Sequence, residues 1–304
     1  MSDTTSQPDE ISVHFDRILF ATDFSRASAA ALPYVAAIAR RFGSELCVAH
    51  VISAGAYQHI PAAERSAALE RMRADAESQI TAQLTAAHFS GIPHQVVLEH
   101  GEVWPVLSSL AESRKIDLIA AGTHGPHGFE KLVAGATAEE ISRLAKRPVL
   151  LVGPEVTTAP EAEVHLERIM YVTDFSRESR RAMKFACALS RAYAAHLFIL
   201  HVVDNPLDEP LATRMSADAF CRLRLLESRL PEGELGVEPE FVLEFGERQG
   251  RTLDVVEKKD IQLLVLRATK SSHAELSAHL PGQLEYNLVT HARCPVVTIH
   301  CEDA

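Results

Sequence analysis

Gly122, Gly125 and Gly128 stand at three-residue spacing, with Gly135 and Thr137 following, in the segment GTHGPHGFEKLVAGAT (Gly122 to Thr137). Glycine permits φ > 0 and lets a ligand approach the main chain closely. Successive backbone N–H groups in such a loop form a concave nest, and a helix starting at its end adds partial positive charge. The chemistry is therefore anion binding, and a phosphate chain suits it. Thr123 and Thr137 add hydroxyl donors, and His124 and His127 add imidazoles at the mouth. The segment is not a Walker A loop, because no G-K-[ST] occurs and Lys131 lies beyond the glycine cluster. A surface loop with several turns would use glycine as well. A strand before the loop and a helix after it separate the two readings.

The flanking sequence supplies both. Arg17 to Thr22, Glu45 to Ile52, His94 to Glu99, Asp117 to Ala121 and Pro148 to Val152 are short and rich in Val, Ile and Leu. Such near-continuous apolar runs fit a parallel sheet covered on both faces. Helical stretches lie between them: one capped by Ser25 and ending near Gly43, one from about Ala62 to His88, and one from Val103 to Arg114. The last runs from about Ala138 to Lys146, with Thr137 as cap and Glu140 completing a capping box. Pro33 inside the first helix predicts a bend or restart, at a cost of about 3 kcal/mol. Five strands with helical crossovers predict a doubly wound sheet of order 3-2-1-4-5. Its switch point falls between the first and fourth strands, at Thr22-Asp23-Phe24 and at Gly122 onward.

The pattern occurs twice. RILFATDFSRAS from Arg17 recurs as RIMYVTDFSRES from Arg168, 151 residues on, and VAHV from Val48 recurs as ILHV from Ile199. VLEHGE from Val97 matches VLEFGE from Val242, and KRPVLLV from Lys146 matches RCPVVTI from Arg293. The expected organisation is a disordered tail (1–14), a first domain (15–153), a linker (154–163) and a second domain (164–304), hence two tandem doubly wound five-stranded parallel sheets. A net charge of −11 disfavours nucleic acid or anionic lipid as main partner. Met1 to Glu10 has no apolar core of a signal peptide, no run reaches membrane-span length, and the five cysteines form no C-x-x-C pair. Free buried thiols and a cytoplasmic location are expected.

With those residues in view, the sequence resembles the universal stress protein family, specifically its ATP-binding branch. That branch is known by a glycine, two residues, a glycine, nine residues, then glycine and Ser or Thr. Gly122, Gly125 and Gly135 keep the spacing, but Ala136 follows where a hydroxyl residue is usual. The resemblance spans both copies. It implies a Rossmann-like, nucleotide-binding α-hydrolase-like fold and ATP, alone or with magnesium, as ligand. Asp23 is then placed near adenine and ribose, Thr22 and Val51 at the base pocket, and Gly122, Gly125, Gly135, Ala136 and Thr137 at ribose and phosphates. Thr123, His124 and Gly128 complete the loop. The alternative for Asp23 is a carboxylate that merely caps the following helix. The family's pairing through last strands further implies an intramolecular pseudo-dimer through Val149 to Val152 and Val296 to Ile299, with or without homodimerisation.

Counting back from Pro295 to match Pro148 sets Thr269 opposite Gly122, Ser272 opposite Gly125 and Gly282 opposite Gly135. The second copy thus lacks the early glycines and is expected not to hold phosphates in the same way. His124, His127, His50 and His201 have no carboxylate or cysteine at metal-ligand spacing, so no metal site is expected. Three functions remain open: an ATP-dependent regulatory protein, an ATP-hydrolysing or nucleotidyl-transferring enzyme, and a scaffold without nucleotide. No catalytic residue set accompanies the loop.

Overall fold

The computed structural model describes residues 13–86, 89–123, 136–159, 163–176, 179–203, 214–215, 217–222, 225, 238–268 and 284–300. The first unit opens with β1 (Arg17–Ala21) and α1 (Arg26–Phe42), followed by β2 (Glu45–Ser53), α2 (Ala54–Tyr57) and α3 (Ala62–Ala86). It continues with β3 (His94–Gly101), α4 (Val103–Ser113), β4 (Leu118–Gly122), α5 (Ala136–Leu144) and β5 (Val149–Val152). The second unit repeats the pattern with β6 (Arg168–Val172), α6 (Ser179–Tyr193), β7 (His196–Val203), β8 (Glu240–Phe245), β9 (Leu263–Ala268) and β10 (Val296–His300). Helices Arg248–Lys258 and Leu284–His291 flank β9.

Local signals explain most boundaries. Ser25 accepts the Ser28 amide at 3.1 Å and starts α1. Gly43, at φ 68°, ends it by returning its N–H to Ala39. Pro33 produces no restart: α1 is one helix through it. The helix buries eleven residues, among them Leu32, Val35 and Ile38, and that packing outweighs the amide that proline lacks. At the other end of the unit, α5 begins at Ala136, so Thr137 is the second helical residue rather than the cap. With Thr137 inside the helix, the expected capping box with Glu140 is not formed.

Each half has the strand order 3-2-1-4-5, all parallel, and the halves join into one ten-stranded sheet, β3-β2-β1-β4-β5-β10-β9-β6-β7-β8. Among the described residues the seam is the only antiparallel pairing: Val149, Leu150 and Leu151 face Thr298, Val297 and Val296. Two apolar layers cover the sheet and both cross the seam. One holds Ile18, Phe20, Leu150, Tyr171 and Val297 beneath α1, α3 and α6. The other holds Leu19, Ile119, Leu151, Met170 and Val296 with α4, α5 and the two late helices. Since α1 and α6 share a face while the seam strands oppose, the halves are related by a pseudo-twofold axis through the sheet.

Across that axis one helix carbonyl in each half meets the other half's last strand. His300 Nε2 donates to the Ser142 carbonyl, and Ser142 Oγ lies 3.3 Å from Thr298 Oγ1. At the symmetric place Val289 presents its carbonyl to Gly153, where a Cβ would come within 1.9 Å of that oxygen. The connection after β5 is also packed down. Val156 is buried, and Thr158 Oγ1 lies 2.8 Å from Tyr34 Oη.

Candidate functional site

At the carboxyl end of β1 the chain turns sharply, and Phe24 takes φ 64°, an unusual conformation for a bulky residue. Three contacts hold it there. The Phe24 amide donates to Thr22 Oγ1 at 3.2 Å, and the Ser25 amide donates to Asp23 Oδ1 at 3.0 Å. The Phe24 ring lies 4.4 Å from that of His50, centroid to centroid. His50 Nδ1 in turn sits 2.8 Å from the Thr22 carbonyl, which can only accept, so that nitrogen carries the proton. The strain thus holds Asp23 at the exposed mouth of the crevice.

The first-half candidates divide by what their side chains already do. Thr22 is buried, with its hydroxyl 3.2 Å from both Ser28 Oγ and Gln83 Oε1. Thr123 is 2 % exposed, and its amide and hydroxyl both turn to the Val152 carbonyl. Both threonines are engaged by the protein's own groups. Val51 is buried in β2 on the face shared with Ala49 and Val97. Gly122 has no space for a side chain: a Cβ would stand 2.1 Å from the Ser28 amide nitrogen and 2.2 Å from the Ala27 carbonyl carbon. The end of β4 therefore lies directly against the first turn of α1. Ala136 and Thr137 open α5. His124, Gly125, Gly128 and Gly135 lie outside the described residues, as do His127, Lys131, Ser272 and Gly282.

The second half repeats the turn in detail. Phe175 has φ 59° and stacks on His201 at 4.1 Å, and His201 Nδ1 reaches the Thr173 carbonyl at 2.9 Å. Ser176 donates from both its amide and its hydroxyl to Asp174 Oδ1. What differs is the neighbour from β9. Leu264 pairs with Pro295 as Ile119 pairs with Pro148. Ile169 pairs with Leu263 as Ile18 pairs with Leu118. This register sets Arg267, not Thr269, opposite Gly122, which corrects the alignment drawn back from the final proline. Arg267 Nη2 lies 2.9 Å from Asp174 Oδ2.

Charge follows geometry. Burial pushes the Asp174 carboxyl up, but the Ser176 hydroxyl and amide together with Arg267 outweigh it and leave it below the usual carboxylate range. Burial likewise lowers His201. The Thr173 carbonyl opposes that shift, and Arg248 and Arg222 reinforce it. Sequence reasoning singled out neither Arg267 nor Arg248. The 145-residue spacing of VLEHGE and VLEFGE, carried forward through the next strand, points to Arg267. Among the described residues no group of three or more His, Cys, Asp or Glu could hold a metal. No described helix is long and apolar enough to cross a membrane.

Residues 14–153, and again residues 165–300, match the universal stress protein family. The chain belongs to that family. Universal stress protein A homolog 1 of Coxiella burnetii is 32% identical over 148 residues, 46% of this chain and 97% of its own length. Universal stress protein MJ0531 of Methanocaldococcus jannaschii is 28% identical over 140 residues, 45% of this chain and 82% of its own. Both cover about one half of the tandem. The solved structure of a universal stress protein from Archaeoglobus fulgidus is similar over both halves. Its TM-score is 0.71 at 20% identity, covering 95% of this chain and 99% of its own, which shows the shared fold.

Proposed function

We propose that this universal stress protein holds ATP, alone or with magnesium, in its first half only, and acts as a nucleotide-dependent regulatory or stress-response protein. The contrast between Gly122 and Arg267 carries the reading. Where the first half has a residue without a side chain, the second has a guanidinium joined to the carboxylate that matches Asp23. The segment that carries the spaced glycines joins β4 to α5 in the sequence, an order of elements that favours phosphates. ATP would supply the phosphate charge. Gly122, His124, Gly125, Gly128, Gly135, Ala136 and Thr137 would hold it and Asp23 and Val51 position the nucleoside, while Thr22 and Thr123, whose polar groups are already engaged within the protein, would shape the crevice floor.

Titration calorimetry with ATP tests this, with about one site per chain expected and loss of binding on Gly125→Val. Two equal sites, or binding untouched by that change, would overturn it. Ala136 favours a second reading, a scaffold without nucleotide, because the usual hydroxyl is missing at the start of α5. Purified protein that carries no adenine nucleotide and takes none up would establish the scaffold.

A further inference from the structure

At the amino ends of the first-half strands, away from the crevice, lies a cavity of about 360 Å³. Arg17, Glu45, Cys47, Gln95, Arg114 and Lys115 are among the residues that line it. The second half shows what the fold places there when it fills the space itself. Cys47 faces Leu19 and Gln95 in the sheet, and Phe198 faces Met170 and Glu240 in the same register. Arg114 and Lys259 are the matching residues just past their helices. Phe198 is 5% exposed, with the His196 ring 4.5 Å away and the Lys259 ammonium 5.6 Å from its centroid. In the first half a thiol replaces the phenyl ring, and the ring's volume is left open.

The charges differ in a directed way. Lys259 is neutralised by Glu240 at 2.7 Å, whereas Arg114 Nη1 donates to the neutral amide of Gln95. Arg17 is 4.0 Å from Glu45, and Lys115 adds a third cation. The cavity therefore presents unmatched positive charge in a chain whose net charge is −11. Burial pushes the Cys47 thiol up, Arg114 opposes the shift and Glu45 reinforces it, so a neutral thiol faces the space.

We propose that this cavity is a binding site for a small aromatic carboxylate, whose ring takes the place that Phe198 fills in the second half and whose carboxylate meets Arg114. The site is separate from the nucleotide crevice and does not depend on nucleotide binding.

Fluorine NMR titration of the full chain with 4-fluorobenzoate tests the proposal. One site per chain is expected, with cyclohexanecarboxylate competing weakly and acetate weaker still. Cys47→Phe is expected to abolish binding without lowering the unfolding midpoint, since the fold already carries phenylalanine at the equivalent place. Arg114→Gln should weaken binding about tenfold, as for loss of one charge-assisted hydrogen bond. Phe198→Cys combined with Glu240→Gln, which leaves Lys259 without its carboxylate, should open a second site, and this double variant decides the matter should Cys47→Phe not fold. Absence of binding to the wild type, competition by acetate as strong as by the aromatic acid, or unchanged affinity in folded Cys47→Phe would each overturn the proposal.

Discussion

Gly122 and Arg267 sit at one register position in two copies of a fold, and each has settled its surroundings differently. A methyl group at Gly122 would have to push back the main chain of Ala27 and Ser28, not a flexible side chain. Gly122→Ala is expected to cost about 1–3 kcal/mol, as overpacking does, measured by urea unfolding. The Asp174–Arg267 pair makes a prediction in pH. The folded carboxyl lies below its ordinary value, so its contribution is complete above the unfolded pKa and is lost as pH falls through the folded one. Arg267→Gln should flatten the acid side of the stability profile, read as unfolding midpoint against pH from neutral into the carboxylate range. An unchanged acid limb would show that the Ser176 hydrogen bonds alone hold the proton off. Asp23 and Gly122 were legible as site candidates from their places after β1 and β4. Arg267 was not, because the second copy is two residues longer between β9 and β10, so that counting back from Pro295 set Thr269 opposite Gly122 instead.

The elements around the crevice owe their positions to short polar side chains. Ser25 in the first half and Ser176 in the second accept the amide three residues on, at 3.1 and 3.2 Å. Ser25→Ala should cost about 1 kcal/mol, the usual worth of an N-cap, and denaturant melts would show it. Strand positions, the cap at Ser25 and the stop at Gly43 could be read from residue type, because each is decided locally. Pro33 could not, since burial along α1 overrules the local preference and only the packed structure reveals that burial. The loop from Gly122 to Thr137 has one lysine, Lys131, and no second cation to steady a transferring phosphoryl group. Turnover of ATP is therefore expected far below the roughly 1–100 s⁻¹ of kinases. A steady-state rate within that range, lost in His124→Ala with binding intact, would make the protein an enzyme.

For the molecule as a whole the seam is decisive, and its strands were legible as exposed apolar edges that needed a partner. The packing of Gly153 against Val289 and of His300 against Ser142 was not, since those contacts join residues more than a hundred positions apart. A fragment ending at residue 157 keeps β5 but loses β10. It is expected to dimerise through β5, doubling its mass by light scattering while the full chain does not use that edge. Burial has also sorted the thiols. Cys294 is pushed up to about 12 by desolvation and should resist alkylation in the native state, whereas exposed Cys221 should react at once, as mass spectrometry would count.

The seam also carries a consequence in time. Leu150 and Val297 are direct partners, and 147 residues of chain separate them. At roughly 5–20 residues per second, the ribosome takes about 7–30 s to deliver the second strand after the first has been made. The first half can fold within that interval, because its own five strands are already complete. Its finished sheet then ends in an unpaired apolar strand until the last strand of the chain emerges. Neighbouring ribosomes on one message hold identical strands in the same waiting state, close together. Crowded translation will therefore favour chains joined first half to first half, with both second halves left unpaired.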